Sequence, residues 1–188
     1  LKDYPAYQYD PDRATQLLKD AGYNGEEIEV RSQNNYYTAE NPVTQAVVAM
    51  WQAIGVNAKM KFVEAGKLFD NSPTRATGNW SSTGQIPDPY ISFFTQFSAA
   101  GSLTSFKIWQ NADFDALGAK MEKAVDPADR AKIFRDMLHL IEWEDPGETV
   151  LHQNAVFFGI RKGIKWQPLP AFQMDLGAGS LAFEEQKS

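Results

Sequence analysis

The sequence contains no cysteine. Disulfides, thiolate metal centres and thiol nucleophiles are therefore excluded, and the redox compartment stays open. No apolar run approaches the roughly 20 residues that a membrane-spanning helix needs. Positive charge is also scarce: 18 Lys and Arg stand against 24 Asp and Glu, a formal net charge of −6. The densest basic cluster is Arg161, Lys162 and Lys165. That is far from the basic stripe a phosphate backbone requires, so nucleic acid is not an expected partner. The two histidines, His139 and His152, lack the i, i+4 partner or carboxylate cluster of a metal site and read as structural. Gly-x-Ser-x-Gly and phosphate-cradling glycine loops are both missing. Nothing calls for a cofactor.

What remains is an ordinary packed chain. Of 188 residues, 43% are hydrophobic and 22% charged, which suits one domain, or one domain with a tail. Aromatic residues reach 13%, a stock of rigid faces that serves cores and ligand clefts alike.

Punctuation along the chain predicts an α/β fold. Asp10-Pro11 supplies an N-cap and a preformed first helical position, Ala14, Leu17, Leu18 and Ala21 recur at helical spacing, and Gly22 stops the helix. Residues 26–33 alternate and predict a strand with Ile28 and Val30 on one side. Asn41-Pro42 repeats the capping signal ahead of a helix through Val43, Ala46, Val47, Met50, Trp51 and Ile54, closed by Gly55. A second strand over 56–62 completes a βαβ unit, whose strands are expected to be parallel with a right-handed crossover. A short helix is expected over 66–71 and a third strand over 77–82. Pro87-Asp88-Pro89 leads into a helix to Phe97, and residues 99–111 read as a loop. Helices follow over 113–124 and from Asp126-Pro127 to the stop at Asp145-Pro146-Gly147. The second carries Ala131, Phe134, Met137, Leu138 and Ile141 as its buried stripe. Residues 149–160 read as a strand, Arg161-Lys162-Gly163 as a turn, and the remainder as an extended tail without an obvious strand pair.

The order of these signals resembles the extracellular solute-binding proteins of family 5, which include oligopeptide-, dipeptide- and nickel-binding proteins. Five groups of residues carry the resemblance: Tyr9-Asp10-Pro11 with Ala21-Gly22-Tyr23; Ala53-Ile54-Gly55-Val56; Trp80 with Pro87-Asp88-Pro89; Trp109-Gln110-Asn111 with Phe114-Asp115-Ala116-Leu117; and Asp126-Pro127, Arg130 and the run from Arg161 to Lys165. Members of that family are much longer and enclose a solute between two lobes. The resemblance therefore implies a fragment, one lobe of a two-lobed binder of the type II kind. Residues 1–9 would be a crossover from a missing N-terminal lobe, 10–164 the solute-binding lobe, and 165–188 a tail returning to the missing lobe. Leu1 fits an internal start, with any signal peptide in the missing part. The implied role is the periplasmic or lipid-anchored substrate-binding component of a bacterial ABC importer, whose membrane subunits are the implied partners. No catalysis is expected.

In doubly wound sheets, ligands gather beyond the carboxyl ends of the strands. Two segments qualify: 34–37, carrying Tyr36 and Tyr37, and 81–88. Trp80 offers a flat face and one donor to a ligand, or is core packing. In peptide-binding members an acidic residue three positions after this Trp pairs with the ligand's amino terminus. Here that position is Thr83, and Ser81, Ser82 and Thr83 present neutral hydroxyls, better suited to sugars, amides or carboxylates than to a cationic amine. Asp88 either replaces the carboxylate or serves the turn before Pro89. Two other functions stay open: the sensor domain of a regulator, and a glycoside hydrolase pairing Asp88 with Asp113 or Asp115.

Overall fold

The structure, a computed structural model, describes residues 8–64, 66–70, 76–81, 88–152, 155, 157–168 and 174–183. The chain forms two compact units. One comprises Leu1–Ser81 with Ser102–Gln110, the other Ser82–Gly101 with Asn111–Ser188. Among the described residues no helix is long and apolar enough to cross a membrane.

The first unit is built on the expected βαβ element. Helix α1 spans Pro11–Asp20, capped by Asp10, whose carboxylate accepts the Arg13 amide at 2.8 Å. Strand β1 (Ile28–Ser32), helix α2 (Glu40–Ala53) and strand β2 (Ala58–Phe62) follow, and β1 and β2 pair in parallel from Ile28 opposite Ala58 to Ser32 opposite Phe62. A third strand, β3 (Ala76–Gly78), pairs in parallel with the other edge of β1, giving the order β2-β1-β3. Val30, Val48, Val56 and Ala58 form the buried core between sheet and helices, with Leu18, Tyr23, Trp51, Ile54 and Met60 packed against it.

Three readings are corrected here, each for a clear reason. The alternation in β1 implies one wet face, yet Glu29 and Arg31 are buried as well as Val30. Being central in a parallel sheet, β1 is covered on both sides. Its polar side is neutralised internally: Glu29 accepts from Arg31 at 3.0 Å and from Lys61 at 2.7 Å, and Arg31 also donates to the Asp70 carbonyl at 2.8 Å. Chiefly through the Lys61 hydrogen bond, the Glu29 carboxyl is held below its ordinary range. The helix expected at 66–71 is instead a pair of turns through residue 70, Lys67 amide to Glu64 carbonyl and Asp70 amide to Lys67 carbonyl, with Gly66 left-handed at φ 84°; Asn71 lies outside the described residues. The loop expected at 99–111 carries one short helix, α4 (Ser102–Ser105).

Three helices dominate the second unit: α3 (Tyr90–Phe97), α5 (Ala112–Met121) and α6 (Pro127–His139), the last running into one π-helical turn, Leu140–Glu144. Asn111 caps α5 and Asp126 caps α6. Phe93, Phe97, Phe114 and Phe134 interlock, with Phe93 and Phe134 stacked at 4.7 Å, and Met121, Met137, Leu140 and Ile141 close the core. Of the stripe expected on α6, Ala131 is exposed. Arg130 ties three segments together. It donates to the Met121 and Ala124 carbonyls at 2.9 and 3.1 Å, satisfying the end of α5, and pairs with Asp88 ahead of α3.

The strand expected over 149–160 does not form among the described residues, although Val150, Leu151, Phe157, Phe158 and Ile160 carry the apolar composition of one and stand exposed. A strand exists only against a partner, and β4 (Ile164–Trp166) pairs instead with β5 (Leu181–Phe183), antiparallel, inside the tail that was expected to lack strand pairing.

Just before this segment, burial and then the charge of Glu142 push the Glu148 carboxyl up to about 7. A raised carboxyl favours the fold below its unfolded value of 4.5, and that contribution is lost as pH rises through 7. Glu148→Gln is therefore expected to stabilise the chain at pH 8 by on the order of 2 kcal/mol and to be neutral near pH 4. Urea unfolding at the two pH values measures the difference, and an equal effect at both would contradict it.

Candidate functional site

The carboxyl ends of β1 and β3 carry two loops of the first unit, and a buried carboxylate organises the first. Glu40 opens α2 and is fully buried. Its two side-chain oxygens accept the amides of Gln33 at 2.7 Å and Tyr36 at 2.6 Å. The chain between bends through two left-handed residues, Asn34 at φ 64° and Asn35 at φ 72°, a conformation Asn tolerates better than most. Asn41, expected as the N-cap of α2, is not the cap. The helix begins two residues earlier, after Ala39 at φ 66°, and the Asn41 side-chain amide instead donates to the Asn34 side chain at 2.9 Å. Pro42 sits in the first turn, where its missing N–H has no helical partner to lose.

The second loop leaves β3 through Asn79, Trp80 and Ser81. Gly78 lets this edge close down: a Cβ there would meet Leu68 Cγ at 2.9 Å, and Leu68 is buried. Asn79 continues the ladder, its amide donating to the Arg31 carbonyl at 2.8 Å. Its side-chain oxygen accepts the Tyr37 hydroxyl at 2.9 Å, and its nitrogen donates to Thr44 Oγ1 at 2.6 Å and to the Glu40 carbonyl at 3.4 Å. Burial, partly offset by the Asn79 hydrogen bond, raises the Tyr37 hydroxyl pKa above its ordinary value.

Trp80 is half-buried and sets its ring edge-to-face with Phe69 at 4.9 Å, and Phe69 stacks on Phe106 at 5.7 Å. The packing reading of Trp80 thus holds for one side of the ring, and the rest of the side chain is partly open. Tyr36 is 59% exposed and Ser81 half-buried, both on this same unit. Ser82 and Thr83 lie outside the described residues. Asp88 belongs to the second unit. There one oxygen accepts the Tyr90 amide at 3.0 Å and the other pairs with Arg130, so this carboxylate is committed to the start of α3. Asp115, also in the second unit, accepts the Ala99 amide at 2.7 Å, and Asp113 lies in the first turn of α5.

Glu40, Thr44 and Asn79 escaped the sequence reading. An acidic residue just ahead of Asn41-Pro42 is a weak helix-start signal, and nothing marks an Asn after a short strand. Among the described residues no cluster of three His, Asp or Glu side chains is arranged to hold a metal. An open pocket of ≈ 560 Å³ in the second unit is formed by β4, β5 and the basic turn at Arg161 and Lys162, and none of the expected site residues lines it.

Residues 1–103 match the family model described as bacterial extracellular solute-binding proteins, family 5 Middle. A probable peptide ABC transporter periplasmic-binding protein of Sinorhizobium fredii is 32% identical over 156 residues, 78% of this chain and 29% of that protein. Di/tripeptide-binding protein 4 of Pseudomonas aeruginosa is 30% identical over 162 residues, 82% of this chain and 28% of that protein. The chain thus spans less than a third of the length of these relatives. Among solved structures, NikZ of Campylobacter jejuni, determined with Ni(L-His), shares the fold at a TM-score of 0.63 and 21% identity, covering 78% of this chain and 32% of NikZ.

Proposed function

Because the chain belongs to the bacterial extracellular solute-binding proteins of family 5, we propose that it supplies one lobe of the substrate-binding component of a bacterial ABC importer, acting without catalysis outside the inner membrane. The observation that carries this is the match of residues 1–103, which takes in the sheet and both loops at its carboxyl end. The first unit offers a solute the exposed side of Trp80, Ser81, and Tyr36 on its clamped loop. The groups it presents are neutral, and the Glu40 carboxylate beneath Tyr36 is buried with both oxygens accepting backbone amides. A neutral polar or planar part of the solute, such as an amide, a sugar hydroxyl or a chelate ring, fits those groups better than a bare ammonium group. The rest of the solute's contacts and its enclosure would come from the second lobe, and the closed form would be read by the importer's membrane subunits.

The test is binding. Thermal-shift screening of the longer protein against small peptides, sugars and metal chelates is expected to give a hit, and Trp80→Ala to weaken it about tenfold or more. The chain alone is expected to bind the same solute no tighter than about 1 μM, a free energy of about −8 kcal/mol. Calorimetry showing submicromolar affinity for the isolated chain would overturn the one-lobe reading.

A further inference from the structure

Asn79 is bonded through its backbone and through both ends of its side chain, on three different elements. Its amide closes the last rung from β3 onto the Arg31 carbonyl. Its side-chain oxygen faces the loop after β1, receiving the Tyr37 hydroxyl, and its nitrogen faces α2, donating to Thr44 and to the Glu40 carbonyl. Thr44 is itself fully buried and donates to the same Glu40 carbonyl at 2.8 Å. Glu40 in turn fixes Gln33 and Tyr36. A continuous path of hydrogen bonds thus runs from the Tyr36 loop through Glu40 to Asn79, the residue that immediately precedes Trp80.

We infer that Asn79 is a positioning residue that locks the loop after β1 and the Trp80 ring into a single rigid part. The chemistry requires an amide. Asp would keep the acceptor for Tyr37 but lose both donors, Leu would keep the volume and lose every side-chain bond, and Ser would not span the gap. A tyrosine hydroxyl, with an ordinary pKa of about 10, is protonated at physiological pH and so serves as the donor to the Asn79 side-chain oxygen. The locked part matters for binding only on the reading proposed above. The coupling itself belongs to the free chain and can be measured without a solute.

The experiment is a heteronuclear NMR spectrum of the ¹⁵N-labelled chain, reading the indole N–H signals of its five tryptophans, with Trp80 assigned by its loss in Trp80→Phe. In both Tyr37→Phe and Asn79→Ala the Trp80 indole signal is expected to move, while that of Trp51, packed on the core of the same unit, stays in place. Amide exchange at Gln33 and Tyr36 is expected to quicken about tenfold or more in Asn79→Ala, as local opening of the loop becomes easier. A merely stabilising Asn79 would lower the unfolding midpoint and leave the native Trp80 signal where it is. Unchanged Trp80 and loop-amide behaviour in the folded variants overturns the inference. Should Asn79→Ala fail to fold, Tyr37→Phe, which removes one hydroxyl, decides alone. If the coupling is found and Trp80→Ala leaves solute affinity of the longer protein intact, the binding role falls and the positioning role stands.

Discussion

Phe114→Ala is expected to destabilise the chain by about 3–5 kcal/mol, the cost of emptying an aromatic site that cannot collapse. Phe114 is 1% exposed and touches Phe93 and Phe97 at 6.0 and 5.7 Å between ring centres. Removing it leaves those rings without the partner that holds Phe93 flat against Phe134. The three elements around it, α3, α5 and α6, are short, so their stability comes from this contact and little from helix propensity. A loss of that size is a large part of the roughly 5–15 kcal/mol that holds an ordinary domain folded. Phe94 is the control: it is 39% exposed and tilted 6.0 Å from Tyr90, and its replacement by Ala is expected to cost under about 1 kcal/mol. Urea unfolding followed by circular dichroism compares the two. Equal midpoints for the two variants would contradict the packing described here.

Glu40→Ala is the second large effect, expected at roughly 3 kcal/mol in the first unit. Both carboxylate oxygens accept backbone amides, those of half-buried Gln33 and exposed Tyr36, and an alanine at the fully buried position leaves both without that acceptor. The loop they belong to holds Asn34 and Asn35 in the left-handed region, which costs free energy once nothing fixes it. Glu40→Gln separates the hydrogen bonds from the volume. Its single oxygen keeps one amide, while its NH₂ opposes the other, so about half the loss is expected to return. The measurement is the same unfolding curve together with amide exchange at Gln33 and Tyr36. An Ala variant as stable as the parent would show that the carboxylate does not hold the loop.

These two residues mark what the sequence made legible and what it did not. Phe114 stands in a helical stripe, and the cap signals at Asp10 and Asp126 are local chemistry that needs no knowledge of the rest of the fold. The βαβ order, the third strand and the short helix after Pro89 follow from period and punctuation alone. Glu40 is different. An acidic residue in polar surroundings reads as solvated, and only the return of the chain from β1 turns it into a buried acceptor. Glu29 and Arg31 mislead for the same reason, because covering the second face of β1 is a tertiary event. The apolar run at 150–160 has the right composition for a strand and no edge to join. Tyr36 lies on the loop expected of it, Trp80 falls just past β3 rather than within the strand expected over 77–82, Asp88 bonds the Tyr90 amide and Arg130, and Asn79 carried no signal at all.

The parallel order β2-β1-β3 also sets a schedule for folding. β1 reaches β2 through the compact helix α2 and pairs over five residues, from Ile28 opposite Ala58 to Ser32 opposite Phe62. β3 must close a longer loop to gain only three pairs, Glu29 opposite Ala76 through Arg31 opposite Gly78. Because loop closure is lost entropy that must precede the contacts that repay it, β3 docks after the βαβ core exists. Asn79 and Trp80 arrive with it. The Trp80 part of the surface proposed for a solute is thus expected to assemble last in this unit and come apart first, and a molecule bound there is expected to slow unfolding at its earliest step.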